Sequence, residues 1–255
     1  IGKNNIVKGM ELFHKKYENV VLMINVTRYP YSFIGDSKKD EYDGGGLIGY
    51  NSGSCNNDNK NNGGSSCKMK KKKLPTWHEA LLGYTGSAER RASAEAGMKE
   101  LGKKANINFN FHVPAQWQPI ESQRLLLWCG RYGRQEEYMT LINKKHFEEQ
   151  KSASYRDTLL EAIEEVGLNV EDANAFLNTN ELEDYVWEWY GRTIYEKNIH
   201  SIPLFVFNVP IIDAVGLPFR SSGKRKPYLV KGSGSSDYFA ALFEQIYMDV
   251  QRFSM

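Results

Sequence analysis

A chain of 255 residues, 41% hydrophobic and 25% charged, can bury a substantial core as one large domain or as one domain carrying an insertion. Its 33 Lys and Arg stand against 31 Asp and Glu, so no overall field argues for nucleic acid or an anionic membrane surface, and partners must be argued from local sites. The longest apolar run, Val20 to Ile24, is far short of the roughly 20 residues that cross a bilayer, and no signal-peptide pattern opens the chain. Cys55, Cys67 and Cys129 form neither a disulfide framework nor a Cys-x-x-Cys or zinc-type pair, which makes a reducing, intracellular compartment the default expectation. An opening Ile1 in place of Met predicts a processed or truncated product.

Ile6, Met10, Phe13 and Tyr17 recur at helical spacing and lead into Val20–Ile24, a continuous apolar run that reads as a buried parallel strand. Between Asp36 and Lys73 the composition turns to Gly, Asn, Ser and Lys, which predicts a long mobile loop insertion. Ser87 to Lys104 is helical and Ala-rich, and Ile107, Phe109 and Phe111 alternate with Asn as a short strand would. A helical block follows: Leu125 to Tyr132, Tyr138 to Phe147, and Tyr155 to Val166, closed by Gly167. Asn180, with Glu183 three positions on, reads as the N-cap of a further helix whose apolar stripe is Leu182, Val186, Trp189, Tyr190 and Ile194. Leu204 to Phe207 is a strand entered through Pro203, Tyr228 to Val230 is its hairpin partner, and Ser235-Ser236-Asp237 caps a final helix that turns Phe239, Leu242, Phe243 and Ile246 inward.

The order helix, strand, helical insertion, strand, strand, helix matches an α/β thioredoxin-like fold with an inserted all-helical domain. The residues resemble the DsbA-like family, in particular its FrnE, 2-hydroxychromene-2-carboxylate isomerase and kappa-class glutathione transferase branches. Ile1-Gly2-Lys3 resembles the start of the helix that follows the family's Cys-Pro-Trp-Cys motif, so the chain begins just past that motif. Pro30-Tyr31-Ser32-Phe33, Gln123-Arg124-Leu125-Leu126 and Ile202-Pro203-Leu204-Phe205 are similar in turn to the segment after the second strand, to a His-Arg-Leu-Leu run in which Gln123 replaces His, and to the cis-proline loop. Gly234-Ser235-Ser236-Asp237 sits where the isomerase and transferase relatives carry a Ser-Asp pair. A rival placement takes Tyr29-Pro30-Tyr31-Ser32 as the transferase active-site turn, but that turn must lead straight into a helix and a polar loop follows here. The implied division is 1–35 and 180–255 for the thioredoxin-like domain, 36–86 for the loop insertion and connector, and 87–179 for the helical insertion.

What the resemblance implies is a thiol-disulfide oxidoreductase or glutathione-linked isomerase whose nucleophile lies upstream of Ile1, with no catalytic residue in the chain itself. The amino end of the first helix, at Ile1, Gly2 and Lys3, would stabilise a thiolate through its dipole and free N–H groups. Ile202, ahead of a cis Pro203, would offer backbone hydrogen bonds to a small thiol or a thiol-containing protein. Ser236 and Asp237 would hold the ammonium and carboxylate of glutathione. The alternative is a catalytically silent subunit that forms a structural part of a larger assembly; a homodimer or such an assembly is the expected partner, and the clustered Trp187, Trp189 and Tyr190 offer contact surface for a partner subunit. Each motif also has a bland reading: Pro203 as an ordinary strand start, Ser236 and Asp237 as a helix cap, Lys70 to Lys73 as a solvated run, Cys129 as a neutral core thiol. His14, His78, His112, His146 and His200 show no ligand spacing, so no metal site is expected.

In the family's fold the strand ahead of the first helix lies between the second strand and the cis-proline strand. Its absence would leave buried backbone groups unpaired, at about 1 to 3 kcal/mol each, which predicts upstream residues, a strand from another chain, or a different sheet.

Overall fold

The computed structural model describes residues 1–32, 34–37, 39, 74–116, 118–210 and 227–253, and divides the chain into two compact units. The first comprises Ile1–Asn25, Leu101–Ile107 and Ile199–Met255; the second comprises Val26–Glu100 and Asn108–Asn198. The predicted loop insertion, with Cys55, Cys67 and Lys70 to Lys73, falls almost wholly outside the described residues.

In the first unit α1 (Gly2–Lys16) carries His14, Lys15 and Lys16 in its last turn, where positive charge complements the helix dipole, and it ends at Tyr17. It packs along the final helix, α9 (Ser236–Phe253), because glycine at position 9 leaves room: a Cβ there would stand 2.6 Å from Phe239 Cβ. Phe13, Phe239, Leu242, Phe243 and Val230 form the core of this unit. Strand β1 (Leu204–Phe207) pairs antiparallel with β2 (Tyr228–Lys231), Phe205 opposite Val230 and Phe207 opposite Tyr228. The sheet lays Phe205 edge-on to Phe239 with ring centroids 5.5 Å apart, and Phe207 edge-on to Phe243 at 6.0 Å.

Val20–Ile24 corrects the sequence expectation. The segment belongs to no strand of the sheet, and only one side of it is covered: Val20, Leu22 and Ile24 pack on the Phe13 cluster, while Val21 and Met23 are 82% and 86% exposed. The run carries the period-2 burial of a strand with one solvated face, and a ladder needs a neighbouring backbone that the described residues do not place beside it.

In the second unit the helices are α2 (Trp77–Thr85), α3 (Ala88–Lys104, whose last turn belongs to the first unit), α4 (Ile120–Gly130), α5 (Gln135–Phe147), α6 (Arg156–Val166), α7 (Val170–Leu177) and α8 (Glu183–Gly191), the last continued by a π-helical segment, Arg192–Glu196. Gly167 closes α6 as expected, at φ 81 in the left-handed region that glycine adopts without penalty. Sequence periodicity missed α2 and α7, although each has a capping residue: Thr76 forms a reciprocal capping box with Glu79, and the Asn169 side chain accepts from Asp172 N. The N-cap of α8 is Leu182, at φ 65; Asn180 contributes only its carbonyl, accepting from Glu183 N. Phe109 and Phe111 take part in no ladder, because their segment bonds to helix ends: Asn110 N donates to Phe147 O at 2.7 Å, and Phe111 O accepts from His78 N at 2.8 Å.

The largest core joins α4 to α7 through Leu125, Trp128, Cys129, Tyr138, Ile142, Leu159, Ile163 and Phe176. A second cluster sets Ile120 against Val186, Trp187 and Tyr190. Trp189, on the other side of α8, stacks on Tyr29 at 4.4 Å with the Arg192 guanidinium 5.0 Å from its ring. Among the described residues no helix is long and apolar enough to cross a membrane.

Candidate functional site at the amino end of α1

The first turn of α1 meets the start of β1. The Ile202–Pro203 peptide is cis, and Pro203 O accepts from Gly232 N at 2.9 Å, which anchors the loop to the residue directly after β2. Gly2 is buried against this loop: a Cβ on it would lie 2.6 Å from Phe205 Cζ and 3.5 Å from Pro203 Cγ. Only a residue without a side chain lets the helix end approach so closely. Ile1 provides no side-chain cap, and no acidic residue occupies the first turn, so the positive end of the helix dipole is not offset by the helix's own residues.

The register of β1 determines which backbone groups remain available. Pro203, Phe205 and Phe207 direct their backbone polar groups toward β2, so Ile202, Leu204 and Val206 direct theirs to the opposite edge. Among the described residues no backbone bond is made there. The Ile202 and Val206 side chains are 49% and 50% exposed, and the edge lies beside the amino end of α1. An extended ligand can pair with such an edge and bring an atom to the helix terminus.

Ser236 and Asp237 form the first turn of α9. The cap is Ser235, whose Oγ accepts from Tyr238 N at 3.1 Å, and so Ser236 and Asp237 are left without the capping role that the sequence assigns to all three residues. Asn5 Nδ2 donates to Gly234 O at 2.6 Å, and Ser236 O would lie 2.9 Å from a Cβ on Gly9. Gly2, Asn5 and Gly9 therefore form one face of α1, which holds Pro203 at one end and Ser236 at the other. Seven residues at 1.5 Å per residue separate the two by about 10 Å along the helix. This face was legible in the sequence as a small and polar stripe at i, i+3 and i+7, and periodicity counted on apolar residues passed over it.

Cys129 is fully buried, and burial pushes its thiol up to about 12, so it is an un-ionised core thiol. Among the described residues no three His, Cys, Asp or Glu side chains converge to hold a metal ion.

A two-stranded sheet with a helix on either side of the same apolar cluster, a proline loop against the first helix and a helical domain inserted before that loop define a thioredoxin-like fold with a helical insertion. The family model of the DSBA-like thioredoxin domain matches residues 60–208, more than half of the chain, and the protein belongs to that family. A crystal structure of a probable DsbA oxidoreductase from Streptomyces coelicolor is similar with a TM-score of 0.53 over 68% of each chain, at 17% sequence identity, a likeness of fold. No curated protein matches the chain.

Proposed function

We propose that the protein is a thiol-disulfide oxidoreductase of the DsbA-like family. It takes an extended, cysteine-containing ligand along the free edge of β1, with the ligand sulfur beside Pro203 at the amino end of α1. The observation that carries this reading is the contact of Gly2 with Pro203 and Phe205, which puts a strand edge and a positive helix terminus at one spot. In this reading the attacking thiol stands ahead of Ile1, where the dipole of α1 lowers its pKa. The thiolate attacks one sulfur of the ligand disulfide, a mixed disulfide forms, and the other ligand sulfur leaves as a thiolate. A second thiol, on the protein or on glutathione, then attacks the protein sulfur of the mixed disulfide and releases the remaining ligand sulfur as a thiolate, so that one disulfide forms as another is reduced.

A glutathione-linked isomerase of the hydroxychromene-carboxylate isomerase and kappa-class transferase branch would use the same face. The roughly 10 Å from Gly2 to Gly9 matches an extended tripeptide at about 3.3 to 3.6 Å per residue. Its thiol would lie at Pro203, its γ-glutamyl carboxylate at the first N–H groups of α9, and its ammonium at Asp237.

The test is to incubate the full-length protein with oxidised glutathione and with a disulfide-containing peptide, then to map any mixed disulfide by mass spectrometry. A mixed disulfide on a cysteine immediately before α1 supports redox work; glutathione binding without one supports the isomerase. Binding of neither sinks both. The exposed Val21 and Met23 favour a second reading, a catalytically silent subunit that buries this face in a larger assembly. Purification as an isolated, glutathione-binding monomer or homodimer would exclude it.

A further inference from the structure

Two histidines from separate stretches of the chain meet at the start of α2. His78 N donates to Phe111 O at 2.8 Å and Trp77 N donates to Val113 O at 3.1 Å, so the segment around residue 112 is pinned across the first turn of that helix. Phe111 and Val113 are buried, and His112 between them is exposed and lies beside His78, with the two ring centres 4.8 Å apart. Helix α3 supplies a third group. Glu95 Oε1 lies 2.7 Å from His78 Nδ1, and the two side chains are 14% and 28% exposed.

A carboxylate only accepts, so Glu95 holds the proton of the neutral His78 ring on Nδ1 and leaves Nε2 with its lone pair. This is how a carboxylate orients a metal-ligating imidazole and makes it more basic. The His112 ring makes no hydrogen bond among the described residues. An imidazole ligand at about 2.0 to 2.1 Å has its ring centre about 3.2 Å from the metal, and two such rings at the tetrahedral angle have centres about 5 Å apart. His78 and His112 already stand at that separation. Their planes are tilted by 34°, and turning the exposed His112 ring about χ2, a soft torsion whose axis passes close to the ring centre, redirects a nitrogen without altering the spacing.

We infer that His78 and His112 bind one zinc-class divalent ion through their imidazole nitrogens, with Glu95 orienting His78 and water filling the remaining positions. Nitrogen ligands select a late first-row ion over magnesium or calcium, which take oxygen. Three direct ligands converge nowhere among the described residues, so this is an open, exchangeable site and not a closed structural one. Spacing along the chain could not announce it, because the pairing depends on the backbone bonds between α2 and the segment around residue 112. All three residues belong to the second unit, and the site is independent of the chemistry proposed at α1.

Zinc chloride is titrated into the full chain while the ring-proton resonances of His78 and His112 are followed by NMR. Both rings are expected to shift together and saturably, with a Kd of about 100 μM or tighter, and magnesium chloride at the same concentrations should shift neither. His112→Ala, a change at an exposed side chain that leaves folding intact, should weaken the binding read at His78 at least about tenfold, since it removes one of two ligands. Glu95→Gln should weaken it by about the same factor while both ligands remain. No saturable shift of the two rings up to about 1 mM zinc, a concentration well above that Kd, overturns the inference. Binding at His78 that is indifferent to His112→Ala or to Glu95→Gln, or that magnesium reproduces, overturns it as well.

Discussion

Glu121 and Arg124 face each other one turn apart in α4, with Oε1 and Nη1 3.0 Å apart and side chains 6% and 1% exposed. The remaining guanidinium donors reach the carbonyls at the end of α7: Nε donates to Glu181 O at 2.8 Å, and Nη2 donates to Phe176 O and Thr179 O. One side chain thus satisfies the carboxyl end of one helix and holds it to another.

Arg124→Met is expected to destabilise the protein by about 3 to 5 kcal/mol, because it removes the ion-pair partner of the buried Glu121 carboxylate and the guanidinium donor of the Thr179 and Glu181 carbonyls at once. Thermal denaturation should show a Tm lower by about 10 °C. Arg124→Lys should also lose stability, since an ammonium cannot span the same acceptors. Adding Glu121→Leu to Arg124→Met should recover part of the loss; no recovery would refute the stranded-charge account.

Two glycines should respond in opposite directions to the same change. Gly9→Ala forces a methyl to within 2.6 Å of Phe239 Cβ and 2.9 Å of Ser236 O, and is expected to cost about 1 to 3 kcal/mol. Gly83→Ala, inside α2 with no atom within 4 Å of the new methyl, should stabilise by up to about 1 kcal/mol through helix propensity. Chemical denaturation of the two variants checks both signs.

Stability should fall in mild acid through His146. Its folded pKa of about 4 lies below the unfolded value of about 6.5, so the unfolded chain takes up the proton first. The contribution is complete above pH 6.5, is lost as the pH drops toward 4 and is flat below that, with a full amplitude of about 3 kcal/mol. Denaturation midpoints measured across this range should decline in the natural protein and decline less in His146→Gln; parallel curves would remove His146 as the cause.

Cys129 should resist alkylation in the native state. Its burial and its raised pKa leave almost no thiolate at neutral pH. Iodoacetamide followed by peptide mapping should leave Cys129 unmodified in the folded protein and modify it in denaturant. Prompt labelling of the native protein would contradict the packing of α4.

Much of the fold was legible because its signals are local. Ile6, Met10 and Phe13 marked α1, Gly167 ended α6, and Phe239, Leu242 and Phe243 marked the inner face of α9. Helix α7 escaped because its eight residues span barely two turns, too few for a period to emerge, although Asn169 announced its start. Val20–Ile24 went wrong for a different reason: β-branched apolar residues declare an extended backbone, whereas pairing depends on a neighbour that no local pattern names.

The sequence alone determined the helical block, the two short strands and a resemblance to the DsbA-like family, since propensity, capping and the order of motifs act between residues close in the chain. Tertiary structure alone decided that Gly2 meets Pro203 and Phe205 and that Ser235 takes the capping role from Ser236 and Asp237. These relationships join residues from separate elements, or turn on where a single side chain is aimed, and only packing brings such groups together.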